Sequence, residues 1–90
     1  MSPEFDPAKN SSNFAKHGVS LSEGDGVLYD PLALTVEDRA ALGEQRWQTL
    51  GMNAFGKLMV VVWTDRNRDI RLISVRKAGP KERRDYEKGS

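Results

Sequence analysis

The 90-residue sequence contains no cysteine and one histidine, His17. The missing thiols exclude a disulfide scaffold, a thiolate zinc site, a cysteine nucleophile and a dithiol redox centre. A single imidazole excludes a multi-histidine metal site. Long apolar runs are also lacking: the longest, Leu58 to Trp63, has six residues, against the roughly 20 that a membrane-spanning helix needs. Pro3, Glu4 and Asp6 stand where a secretory signal would carry basic and then apolar residues. The expectation is a cytoplasmic protein with no membrane partner and no cofactor or metal. The chain is shorter than the roughly 150 residues of an average domain, so residues 1–90 should form one domain. Met1–Pro3 and Gly89–Ser90 carry no weight in this reading.

What is present is a modest apolar fraction, 38%, and abundant charge, 30%. That is enough for one small core. The net charge of +1 hides a segregation: residues 1–45 carry three basic and eight acidic side chains, and residues 46–90 carry eleven and five. A basic half suits a polyanion or an acidic protein, or its charges simply neutralise the acidic half in the fold.

Turn and cap signals divide the chain. Asp6-Pro7 has the form of a helix start, with a carboxylate acceptor followed by a residue lacking the unused donor. Gly18 would close that helix after His17. Ser20 with Glu23 has capping-box spacing and predicts a second helix over residues 21–28, weakened by Gly24 and Gly26. Leu32 to Val36 reads as a short strand, and Glu37 to Gly43 as a loop. Residues 44–50, 58–64 and 70–76 read as strands of an antiparallel meander, the middle one apolar enough to be covered on both faces. Pro80 opens a charged helix through about Lys88. The expected class is α+β, with N-terminal helices and a C-terminal helix packed on a small, mostly antiparallel sheet.

Several stretches resemble one family. Phe5-Asp6-Pro7-Ala8-Lys9, Asn13 and Lys16-His17-Gly18-Val19 are similar to the opening signature of the BrnT-type toxins. Asp30-Pro31, Glu44 with Arg46, Gly51, the run Arg71 to Ala78, Glu82-Arg83 and Tyr86 follow the family in order and spacing. The resemblance spans Phe5 to Tyr86. Many relatives carry tryptophan at the Phe5 position, and alanine or bulkier residues at Gly24 and Gly26. The resemblance implies a RelE-like fold and a ribonuclease toxin of a type II toxin–antitoxin system that stops translation. It also implies neutralisation by a BrnA-type ribbon-helix-helix antitoxin, through which alone the toxin would meet DNA.

RNA can be cut without a metal when the ribose 2′-OH attacks the adjacent phosphorus. The reaction needs a proton acceptor, a cation for the developing phosphorane charge and a proton donor for the leaving oxygen. Guanidinium fits the second role, because its fork matches two phosphate oxygens. Arg46 is the first candidate, with Glu44 two residues earlier on the same face to accept a proton or orient it; the alternative is a surface ion pair. Arg76 and Arg71 follow. Five residues separate them, so a regular strand places them on opposite faces unless a bulge intervenes. Tyr86 could stack on a base or donate a proton, or it could pin the last helix to the sheet. Arg46, Arg76 and Tyr86 are expected to converge in one hollow.

Lys9, Lys16, His17, Lys77 and Arg83 are candidates for holding RNA. His17 also fits the end of the first helix, where imidazolium is favoured. Trp47 and Trp63 read as core. Two other function classes fit the same basic half: a non-catalytic RNA- or ribosome-binding module, and a degenerate toxin serving mainly as its antitoxin's partner.

Overall fold

The computed structural model describes Ala8, Ser11, Asn13, Ala15, Lys16, Gly18 and residues 21–38 and 43–89. Four strands, β1 (Leu34–Asp38), β2 (Arg46–Met52), β3 (Leu58–Arg66) and β4 (Asp69–Lys77), pair in chain order as an antiparallel meander. A C-terminal helix, Pro80–Lys88, follows. The α+β class expected from the sequence therefore holds for a four-stranded sheet and this helix.

Local chemistry explains the connections. Asn53 organises the β2–β3 turn: its Oδ1 accepts the Phe55 and Lys57 N–H groups, both at 2.9 Å, and its Nδ2 donates to the Glu23 carbonyl at 2.8 Å. The β3–β4 hairpin closes over Asn67 and Arg68, both at positive φ, the backbone twist that a tight two-residue hairpin favours. Pro80 opens the last helix, where its missing donor costs nothing. Glu82 reaches back to accept the Gly79 N–H at 2.8 Å.

At the N-terminal end, Ala8, Ser11, Asn13, Ala15 and Lys16 are helical; Phe5, Asp6, Pro7, Lys9 and His17 lie outside the described residues. The expected α-helix over 21–28 is not formed. Two short 3-10 helices, Leu21–Gly24 and Val27–Tyr29, take its place. Gly26, at φ +87, turns the chain left-handed between them. Gly24 presses on the sheet so closely that a Cβ there would meet Val75 Cγ2 at 2.8 Å.

These two turns cover one face of the sheet. Leu21, Val27, Met59, Val61, Leu72 and Val75 are buried there, with Leu28, Trp63 and Ile70 packed around them. Each such fully buried aliphatic side chain contributes about 1.5–3 kcal/mol. Asn13, itself buried, pairs with the outer edge of β4, donating to the Val75 carbonyl and accepting the Val75 N–H, both at 2.9 Å. The opposite face carries a second cluster, Leu50, Leu58 and Val60, joined by Leu34, Met52, Ala78 and Tyr86. The C-terminal helix covers only this end, and among the described residues no helix covers the far half of that face.

One irregularity decides which residues share the open face. Val62 pairs with Ser74 but Trp63 pairs with Leu72, so Ile73 is an extra residue in β4. A bulge of this kind shifts the alternation by one. Leu72 and Val75, three residues apart, both face the core, and Arg71 and Arg76, five apart, therefore both face the other way.

Candidate nucleic-acid interface

The strand register lays out the open face as three rows. The row under the C-terminal helix is Leu34, Leu50, Val60 and Arg76. The middle row is Val36, Gln48, Val62 and Ser74. The far row is Asp38, Arg46, Thr64 and Arg71: Asp38 pairs with Arg46, Arg46 lies next to the Trp47–Trp63 pair and so level with Thr64, and Thr64 pairs with Arg71.

Arg46 and Arg71 thus flank Thr64 from either side, with Cα atoms two strand spacings or roughly 10 Å apart. Thr64 is buried and donates to the Gln45 carbonyl at 2.7 Å, which fixes the start of β2 against β3. Arg46 is half-buried. Its Nε is buried and has no hydrogen-bond partner among the described residues, a state that costs about 1–3 kcal/mol. Arg66, two residues beyond Thr64, forks onto Glu44 at 2.9 and 3.0 Å. The Glu44 carboxylate is therefore held by Arg66, a cation the sequence reading did not select. Asp38 is the carboxylate of the row itself.

Arg76 and Tyr86 do not join Arg46. Arg76 is level with Val60, four residues along β3 from Thr64, or roughly 13 Å by strand rise. Its guanidinium forks onto Glu82 at 2.8 and 2.5 Å. That fork outweighs the opposing effect of burial and holds the Glu82 carboxyl below its ordinary value. The Tyr86 hydroxyl donates to Asp30 Oδ2 at 2.5 Å. Asp30 also accepts the Met52 N–H at 2.7 Å and the Leu32 N–H at 3.0 Å. Burial alone would raise the Asp30 carboxyl, but these three hydrogen bonds outweigh it and hold it below its usual range. The same bond to Asp30, with burial and the nearby charge, raises the Tyr86 hydroxyl. The expected hollow of Arg46, Arg76 and Tyr86 is thus not formed. Arg76 and Tyr86 anchor the C-terminal helix, and Arg71 takes the place beside Arg46 that the sequence reading gave to Arg76.

The RNA-holding candidates are dispersed. Lys16 is exposed on the N-terminal helical segment, and Arg83 is exposed on the C-terminal helix. Lys77 pairs with Met59 and so belongs to the core face of the sheet. Lys9 and His17 lie outside the described residues. Trp47 and Trp63 stack at 6.1 Å between ring centroids on the core face, where Trp63 Nε1 donates to Thr49 Oγ1 at 2.8 Å. Their faces are not available to the arginine row. Among the described residues, no three histidines, cysteines or carboxylates gather as a metal-binding group, and no helix is long and apolar enough to cross a membrane.

Sequence reasoning missed the contacts of Asp30 and Arg66. The Asp-Pro turn signal pointed to Asp30 as a turn residue, without showing that its carboxylate binds β2 and the last helix.

A family model described as "Ribonuclease toxin, BrnT, of type II toxin-antitoxin system" matches residues 5–82. The 1.1 Å crystal structure of the Brucella abortus ribonuclease toxin BrnT is similar in fold. It has a TM-score of 0.66 and 21% sequence identity, and the match covers 86% of this chain and 95% of that one. No curated protein matches the chain.

Proposed function

The chain belongs to the BrnT family of ribonuclease toxins of type II toxin–antitoxin systems, and we propose that it cuts RNA without a metal at the row formed by Arg46, Thr64 and Arg71. Family membership implies an RNA substrate, endoribonuclease activity and an antitoxin partner. The observation that carries the site is the bulge at Ile73, which turns Arg71 to the face of Arg46. Two guanidinium groups then flank one position on a rigid sheet, the arrangement that a phosphate diester needs.

In this reading the ribose 2′-oxygen attacks phosphorus and the bond to the 5′-oxygen breaks. The products are a 2′,3′-cyclic phosphate and a 5′-hydroxyl end. Arg46 and Arg71 balance the charge that builds on the nonbridging oxygens. Glu44, held by Arg66, takes the 2′-OH proton, and a proton from solvent reaches the leaving oxygen. Arg76 and Tyr86 act on the C-terminal helix and not on the substrate.

We read the chain as one RelE-like domain acting in the cytoplasm, where translation occurs, and neutralised by a BrnA-type ribbon-helix-helix antitoxin. The purified protein should cut RNA in the presence of EDTA and leave cyclic phosphate ends. Arg46→Ala should remain folded by circular dichroism and cut about 10²–10³-fold more slowly. Cleavage that EDTA abolishes, or RNA that changes mobility without new ends, would overturn this mechanism.

A further inference from the structure

We propose that the middle row of the open face, Val36, Gln48, Val62 and Ser74, seats a single-stranded RNA base beside the cut, and that the Gln48 amide reads its edge. The inference rests on the arginine row as the cleavage site. The two rows are two residues apart along each strand, roughly 7 Å, which is the reach from a phosphate to a neighbouring base. On its other side the middle row meets the row under the C-terminal helix, so a strand held by Arg46 and Arg71 has its base directed onto this strip.

The chemistry of the strip fits that occupant. Val36, 61% exposed, and Val62, half-buried, flank Gln48 on its two sides in the row. A ring seated over Gln48 therefore meets an apolar side chain on either side. No aromatic side chain lies on the row: Trp47 and Trp63 face the other side of the sheet. Stacking between aromatics, which tolerates any base, is therefore not offered here.

What the row offers is one amide with both donor and acceptor atoms. Among the described residues, no hydrogen bond engages the Gln48 side chain. Every RNA base carries an adjacent donor and acceptor on its pairing edge, in an order that differs between bases, and only an unpaired base exposes it. A base held through its phosphate on the arginine row presents this edge to the row at a set distance, where the Gln48 amide can pair with it and an apolar side chain cannot, so Gln48 is a specificity-determining residue.

The test is cleavage of an RNA pool randomised around one site, with the new 5′-hydroxyl ends sequenced. Wild type should favour one base next to the cut by about tenfold to hundredfold. Gln48→Leu, similar in size but without hydrogen-bonding groups, should lose that ratio through slower cleavage of the favoured sequence. Gln48→Glu, which accepts only, should move the preference toward a base that donates. A wild-type enzyme with no preference at this position, or a Gln48→Leu variant with the wild-type preference, overturns the proposal.

Failure of the ribonuclease reading would look different, because wild type would leave no cut ends at all. Affinity for short single-stranded oligonucleotides of each base then replaces cleavage. A base-dependent difference that Gln48→Leu removes supports the seat, and equal affinities overturn it.

Discussion

Replacing Arg76 by alanine separates structure from chemistry most cleanly. The side chain makes two charge-assisted hydrogen bonds to Glu82, at 2.8 and 2.5 Å. In a dry interior such bonds are worth about 1.5–3 kcal/mol each. Here the Arg76 side chain is 40% exposed and that of Glu82 29%, so solvent screening reduces the pair to about 1 kcal/mol. In a domain of this size that is a fall of about 4–8 °C in Tm. The loss should depend on pH. Glu82 ionises more readily in the folded protein than its reference value of 4.5. Its contribution is therefore complete above that value and disappears as pH falls through the lowered one. Thermal unfolding of wild type and Arg76→Ala should differ at pH 7 and converge on acidification, while RNA cleavage at 20 °C stays within a few-fold. A variant with unchanged Tm and abolished cleavage would return Arg76 to the catalytic site and refute this division of roles.

Two further outcomes follow from the packing. Gly24→Ala places a methyl group 2.8 Å from Val75 Cγ2 and 3.2 Å from Val61 Cγ2. Overpacking of this kind should lower stability by about 1–3 kcal/mol in a urea titration, and an unchanged midpoint would contradict the close approach. Tyr86 is protonated in the folded state beyond its ordinary value of 10.0. Its hydrogen bond to Asp30 therefore stabilises the fold below that pH and is lost as pH rises through the higher folded value. The Tm gap between wild type and Tyr86→Phe should narrow above pH 10, and a constant gap would show that the Asp30 bond contributes nothing.

Regular chemistry made much of the fold readable. The apolar run from Leu58 named the central strand, although β3 continues to Arg66. Pro80 and the charged stretch after it gave the last helix its observed bounds. Leu32 to Val36 was read as the first strand, but the Asp30 carboxylate holds Leu32 in a turn, and β1 starts at Leu34 and runs on through Glu37 and Asp38. The capping-box spacing of Ser20 and Glu23 predicted a helix because it is a local signal. The contact of Gly24 with Val75 is long-range and is not visible in it.

The same reasoning explains the site. Arg46 was placed on the wet face of its strand because β2 alternates regularly. Arg71 was ranked below Arg76 because strict alternation separates them, and one extra residue, Ile73, is enough to reverse that alternation without changing the composition. Glu82, Tyr86 and Asp30 belong to the residues that carry the family resemblance, and their order in the chain does not say that they bind one another across the fold.

The central claim is that Arg46 and Arg71 hold one phosphate together across Thr64. The most direct measurement is the cleavage rate, in EDTA, of wild type, Arg46→Ala, Arg71→Ala and the double variant. The account predicts that each single change costs about 10²-fold or more and that the double variant is little slower than the worse single one, because both side chains serve the same transition state. Cleavage by Arg71→Ala at the wild-type rate would contradict it.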